Sequence, residues 1–163
     1  MKFVIGFAIL MGAFEASRGS ALERFLVEDM ILRPTTHLIN ALTPNEQVEL
    51  RGRTLVSPYG SKLHVTRGCE GIEMFLLLIA AILAFPASLE RRAQGLLFGF
   101  MLAYVLSVAR LMALHYTLRY SPGAWETLHG LILPLAPVIG TALYFLRWSS
   151  TVPTRAGPAR HAA

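Results

Sequence analysis

Four apolar runs divide the chain. Residues 3–14 (FVIGFAILMGAF) follow Lys2, residues 74–89 (MFLLLIAAILAFPASL) carry no charge, residues 95–114 (GLLFGFMLAYVLSVARLMAL) carry only Arg110, and residues 130–146 (GLILPLAPVIGTALYFL) carry none. A helix of about 20 mostly apolar residues crosses a bilayer, within a range of roughly 17–25. The last three runs reach that length with a flanking residue or two. The first reaches it only by extending to Ser17 and taking Glu15 with it. Prolines 86, 134 and 137 are tolerated in membrane helices whose neighbours satisfy the freed carbonyls. The pattern predicts an all-α membrane protein with about four transmembrane helices. The first run reads as an uncleaved anchor rather than a signal peptide, because Glu15 and Arg18 spoil the cleavage region that small residues near Ala16 to Ala21 would offer.

The segment between the first two runs has a different texture. Residues 20–32 (SALERFLVEDMIL) place Leu22, Phe25, Leu26, Met30 and Ile31 at helical spacing. Ser20 with Glu23 matches a capping box, and Arg33-Pro34 predicts the helix end. This helix is expected to lie on the outer membrane surface. Residues 47–56 and 61–66 alternate around Ser57-Pro58-Tyr59-Gly60 and predict a β-hairpin. The chain thus reads as a first transmembrane helix (1–17), an extracytoplasmic segment (18–68), a three-helix transmembrane region (69–147) and a disordered cytoplasmic tail rich in Pro, Arg and Ala (148–163).

Composition agrees with that division. The chain is 54% hydrophobic and 15% charged, against about 25% charged residues in a soluble domain. Its mean hydropathy is +0.51. A single cysteine excludes an intrachain disulfide and a Cys-rich metal site. The net charge of +5 would suit a nucleic-acid partner only if the charges formed a patch. They do not. With the N-terminus in the cytoplasm, Lys2, Arg91, Arg92, Arg147, Arg155 and Arg160 fall inside against Glu90 alone, while nine basic and nine acidic residues fall outside and cancel. That is the positive-inside asymmetry of short loops. The expected partner is therefore a lipid bilayer, not nucleic acid, and the expected place is a cytoplasmic membrane with both termini inside.

In this topology three reactive side chains share the outer face. Cys69 precedes the second span, Arg110 sits about five residues short of the end of the third, and His129 opens the fourth. Each has an ordinary reading: an inert cysteine, an arginine snorkelling to the surface, an interfacial histidine. Together they make a chemical set. Cys69 lies between Gly68 and Gly71 at a helix N-terminus, where backbone N–H groups favour a thiolate nucleophile. His129 can take and return a proton. Arg110 carries a permanent charge in a fork suited to an oxyanion or a substrate backbone. An arginine inside a span is a functional candidate by default. The set suits acyl transfer at a peptide bond through a thioester. Glu73, four residues after Cys69, and Ser107, one turn before Arg110, are candidate substrate-binding residues on the same faces. Glu70 and Glu126 read as solvated charges at helix starts. His115 is about 140° around the helix from Arg110 and faces elsewhere. Two other readings compete: a haem- or metal-binding membrane protein using His115, His129 and Cys69, and a non-catalytic assembly factor. No paired-histidine spacing on one helix supports the first, and neither a cofactor nor a metal is expected.

The residues also carry a resemblance. Gly68-Cys69-Glu70-Gly71-Ile72 opening a span, Ser107-Val108-Ala109-Arg110 late in the next, and His129-Gly130 opening the last resemble the exosortase/archaeosortase family over roughly residues 60–147. Members usually carry Ala-Cys-Ser-Gly at the nucleophile and asparagine three residues before the arginine. Here Gly68 and Glu70 flank Cys69, and Ser107 stands in place of asparagine, as in a short, four-span subgroup. The resemblance implies a membrane cysteine protease and transpeptidase with its site on the outer face. Cys69 would be its nucleophile, Arg110 the transition-state stabiliser and His129 the acid/base. It implies as substrate an exported, membrane-anchored protein whose C-terminus holds a short motif, one span and a basic cluster.

Overall fold

The computed structural model describes residues 2–66, 68 and 70–152. All four apolar runs form helices, the second only as far as Ala84. The first, α1 (Lys2–Ala16), ends in a short turn, and α2 (Ala21–Leu42) leaves it at 103°. Half of the capping box forms: Ser20 Oγ accepts the Glu23 N–H at 3.4 Å, while the Glu23 carboxylate accepts the N–H of Gly19, one residue before the cap, at 2.6 Å. The helix does not stop at Arg33-Pro34 as the sequence predicted. Residues Phe25–Leu32 are wound as a π-helix, and the Arg33 N–H bonds to the Glu28 carbonyl five residues back. That wider turn accommodates Pro34, whose ring and missing N–H would break a regular ladder. It also rotates the buried face. Val27, Ile31, Leu32, Thr35 and Ile39 point inward, whereas Leu22 and Phe25 of the apolar pattern are more than half exposed.

Three short strands follow: β1 (Glu49–Arg51), β2 (Thr54–Val56) and β3 (Lys62–His64), antiparallel in the order β1-β2-β3. A single hairpin with 47–56 as one strand was expected. Instead the chain reverses a second time at Gly52-Arg53, where Gly52 takes φ +58°, and pairs Arg51 with Thr54. Leu55, Leu63 and Val65 bury one face of this sheet with Val27, Ile31 and Ile39 of α2, and the same core takes in Phe14, Ile72, Leu111 and Leu114. The sheet and α2 thus form a layer over one end of the remaining helices, called here the hairpin end.

Those helices are α3 (Ile72–Ala84), α4 (Leu89–Tyr120) and α5 (Pro122–Ser150). Among the described residues, α4 and α5 are long and apolar enough to cross a membrane. Their outer faces expose Leu97, Phe98, Met101 and Val105, and Leu135, Ile139, Leu143 and Leu146. The other two runs make shorter helices than expected, 15 residues in α1 and 13 in α3. α3 ends because Phe85, extended at ψ 138°, precedes Pro86. α5 opens with a 3₁₀ turn and a π-helical stretch, Leu128–Ile132, ahead of Pro134.

A second core closes the opposite end. A Cβ on Gly95 would stand 2.6 Å from the Trp148 ring, and one on Gly99 would stand 2.9 Å from the Tyr144 ring. These small residues, one turn apart, let α5 approach α4 closely. Tyr144 donates to the Gly95 carbonyl at 2.6 Å, and Trp148 Nε1 donates to the Arg91 carbonyl at 3.3 Å. The helix therefore runs past the expected boundary at 147, because Trp148 is part of this packing. Residues 153–163, the rest of the expected disordered tail, lie outside the described residues.

Candidate active site

The site is built where α3 begins. Gly68 and Gly71 both adopt left-handed backbone, at φ +83° and +82°. A side chain at Gly71 would be strained by that conformation, and its Cβ would stand 2.6 Å from Ser107 Oγ. Glycine at 71 therefore lets the start of α3 rest on Ser107 of α4. Cys69, between these glycines in sequence, lies outside the described residues. Glu73 is half-buried, and its Oε1 reaches back to 3.9 Å from where a Cβ of Gly68 would stand.

Glu70 departs from the sequence expectation. It is not a solvated helix-start charge but 2% exposed, with Oε1 accepting from Arg53 Nη2 at 2.5 Å. The same guanidinium donates from Nη1 to Glu23 Oε1 at 3.0 Å and from Nε to the Val65 carbonyl at 3.3 Å. Burial alone would lower the Arg53 pKa; the hydrogen bonds and charges of Glu70 and Glu23 outweigh it and raise it. Glu126 is exposed, as expected.

Ser107 and Arg110 lie on one buried face of α4, at 5% and 9% exposure. One helical turn separates them, about 4.5 Å of rise. The contact between Gly71 and Ser107 thus brings the start of α3 to within a turn of Arg110. His129 stands on the π-helical stretch of α5, half-buried, its ring stacked on Trp125 at 4.7 Å and 18°. The helix carrying Arg110 continues ten residues beyond it to Tyr120 rather than about five. Arg110 is then about 15 Å below the end of α4, and His129 about 10 Å below the start of the antiparallel α5.

The extra turns of α4 belong to the layer at the hairpin end. Glu46, 1% exposed, accepts from Ser57 Oγ at 3.0 Å, Tyr120 Oη at 2.8 Å and Arg119 Nε at 3.2 Å, with His115 Nε2 at 3.5 Å. The Arg119 guanidinium covers the Tyr59 ring at 4.4 Å. Burial alone would raise the Glu46 pKa; the hydrogen bonds from Tyr120 and Ser57 and the charges of Arg119 and His115 outweigh it and hold the carboxyl below its ordinary value. His115 faces this cluster and away from Arg110, as the helical angle required. Among the described residues no group of three or more His, Cys, Asp or Glu is placed to hold a metal ion. Sequence reasoning missed Arg53 and Glu46, because their partners lie 11 to 74 residues away along the chain.

The described residues offer a guanidinium on a buried face of α4, a half-buried imidazole near the start of α5, and two left-handed glycines just before α3. Neither the curated proteins nor the solved structures gave a match. One family did match, described as transmembrane exosortase, over residues 3–152, which takes in α1 through α5 and the sheet layer. With that match spanning nearly the whole sequence, the chain belongs to the transmembrane exosortase family.

Proposed function

We propose that this chain is a membrane-embedded cysteine transpeptidase that cleaves C-terminal sorting signals of exported, membrane-anchored proteins at the outer face of the cytoplasmic membrane. The family match over residues 3–152 carries the reading. The packing of Gly71 on Ser107, one turn from Arg110, supports it. In the reaction the Cys69 thiolate attacks the scissile carbonyl carbon, a C–S bond forms, and Arg110 stabilises the oxyanion. The C–N bond then breaks as His129 protonates the departing amine, leaving a thioester whose acyl group passes to the acceptor nucleophile. Glu73 and Ser107 line the approach of the substrate chain. Residues 18–68 form the outer layer, 69–147 the catalytic region and 148–163 a cytoplasmic end.

The test is co-expression with an exported protein bearing a C-terminal motif, span and basic cluster, followed by its size on a gel. Cys69→Ala and Cys69→Ser should each abolish processing while the protein stays in the membrane. Full processing by the alanine variant would end the nucleophile assignment. An impermeant maleimide should label the single thiol from the outer side; labelling that requires opening the cytoplasmic side would reverse the topology.

A further inference from the structure

Buried ion pairs are poor evidence of stability, since apolar replacements are often neutral or better. One such group calls for another explanation. Arg53 sits in the two-residue turn between β1 and β2, and it divides its guanidinium between two buried carboxylates, Glu23 and Glu70. Glu23 lies in the first turn of α2, where its carboxylate also accepts the Gly19 N–H, and the Val65 carbonyl accepts from Arg53 Nε. Glu70 follows Cys69 directly in the chain. The described residues on either side of position 69 are therefore held at three points: left-handed backbone at Gly68, the seat of Gly71 on Ser107, and the tie from Glu70 to Arg53.

We propose that Arg53 is a positioning residue, which acts through Glu70 to fix and charge-balance the segment that carries Cys69. This rests on Cys69 being the nucleophile. A carboxylate beside a thiol disfavours the thiolate, and a guanidinium bound to that carboxylate restores it. Glu70 and Arg53 therefore pull the thiol in opposite directions. Other charged groups that the described contacts link to these residues are Glu23, which shares Arg53, Glu73, whose Oε1 reaches back to Gly68, and Arg110, one turn from the Ser107 that Gly71 meets; Arg67 precedes them in sequence, and His129 lies on α5.

The test uses the full-length protein and the rate of Cys69 alkylation by N-ethylmaleimide as a function of pH, a readout that needs no substrate. Arg53→Gln should move the midpoint upward by about one unit, a tenfold loss of rate below it. Glu70→Gln should move it downward. The double variant should return near the parent, and Arg53→Lys, which keeps the charge, should hold it. Glu70→Gln and the double variant leave no unpaired carboxylate at position 70, so they decide the matter even if Arg53→Gln fails to accumulate. Shifts of the same sign in Arg53→Gln and Glu70→Gln, or no shift in Glu70→Gln and the double variant, would overturn the proposal. Processing that survives Cys69→Ala would instead sink the nucleophile assignment, while the alkylation profile would still report what Arg53 does to the thiol.

Discussion

Arg110 is a fixed charge on a buried face of α4 and the lone charge of the apolar run 95–114. Such a charge is costly inside a membrane and is kept where it acts. If it acts by a planar fork directed at an oxyanion, a point charge will not replace it. Arg110→Lys should therefore lose nearly as much processing as Arg110→Ala, on the order of 10²-fold or more in turnover. Recovery of most turnover by lysine would leave Arg110 a role as charge alone. At this scale much was legible. Arg110 stood out as the lone charge of its run, and Ser107 as its neighbour one turn away. The Ser20 and Glu23 cap was written in four consecutive residues. Glu70 was not legible, because its partner sits in a turn that only the folded sheet brings across. A glutamate at a helix start looks the same in sequence whether it is solvated or buried.

Helix boundaries depended on features that periodicity does not carry. Pro34 was read as a stop because a regular α-helix cannot absorb it, yet the π-helical winding of Phe25–Leu32 does. Gly52 turned an expected strand into two, since one residue at φ +58° suffices to reverse the chain. The contact between α3 and α4 shows how tightly elements are fitted at the site. Gly71→Ala would force a Cβ against Ser107 Oγ and hold an L-residue at φ +82°. The variant is expected to cost about 1–3 kcal/mol in stability and to lose processing. Pairing it with Ser107→Gly removes the clash but not the backbone strain, so that pair should recover only part of the thermal stability. Full recovery in a melting experiment would mean that crowding alone fixed glycine there.

For the whole molecule, the layer at the hairpin end is held to α4 by Glu46. Its carboxyl titrates below its ordinary value when folded. The stability it adds is therefore fully present above the unfolded value, about 4.3, and is lost as pH falls through the lower folded one. Glu46→Gln should flatten this part of the acid melting profile, and Glu46→Ala should cost about 3 kcal/mol at neutral pH by stripping Arg119 of its anion and Tyr120 and Ser57 of their acceptor. An unchanged acid profile in Glu46→Gln would show that other carboxylates govern it. The membrane class was plain from the four apolar runs. What they could not reveal was the length of each helix, since Phe85-Pro86 and the turn after Ala16 cut two of them short.

That shortness bears on how a peptide bond could reach the site. At 13 residues, α3 is about 20 Å long, against about 30 Å of hydrocarbon. A hydrophobic stretch shorter than its bilayer thins the lipid beside it. A guest helix of ordinary length resting along α3 would then be mismatched to the dimpled bilayer around it. About 10 Å of it, some seven residues, would stand clear of the acyl chains. If that excess emerges beside the start of α3, the junction between a substrate's span and its exported part is exposed to water at the level of Ser107 and Arg110. The 13 residues of α3 would then serve as the depth gauge that selects which bond is cut.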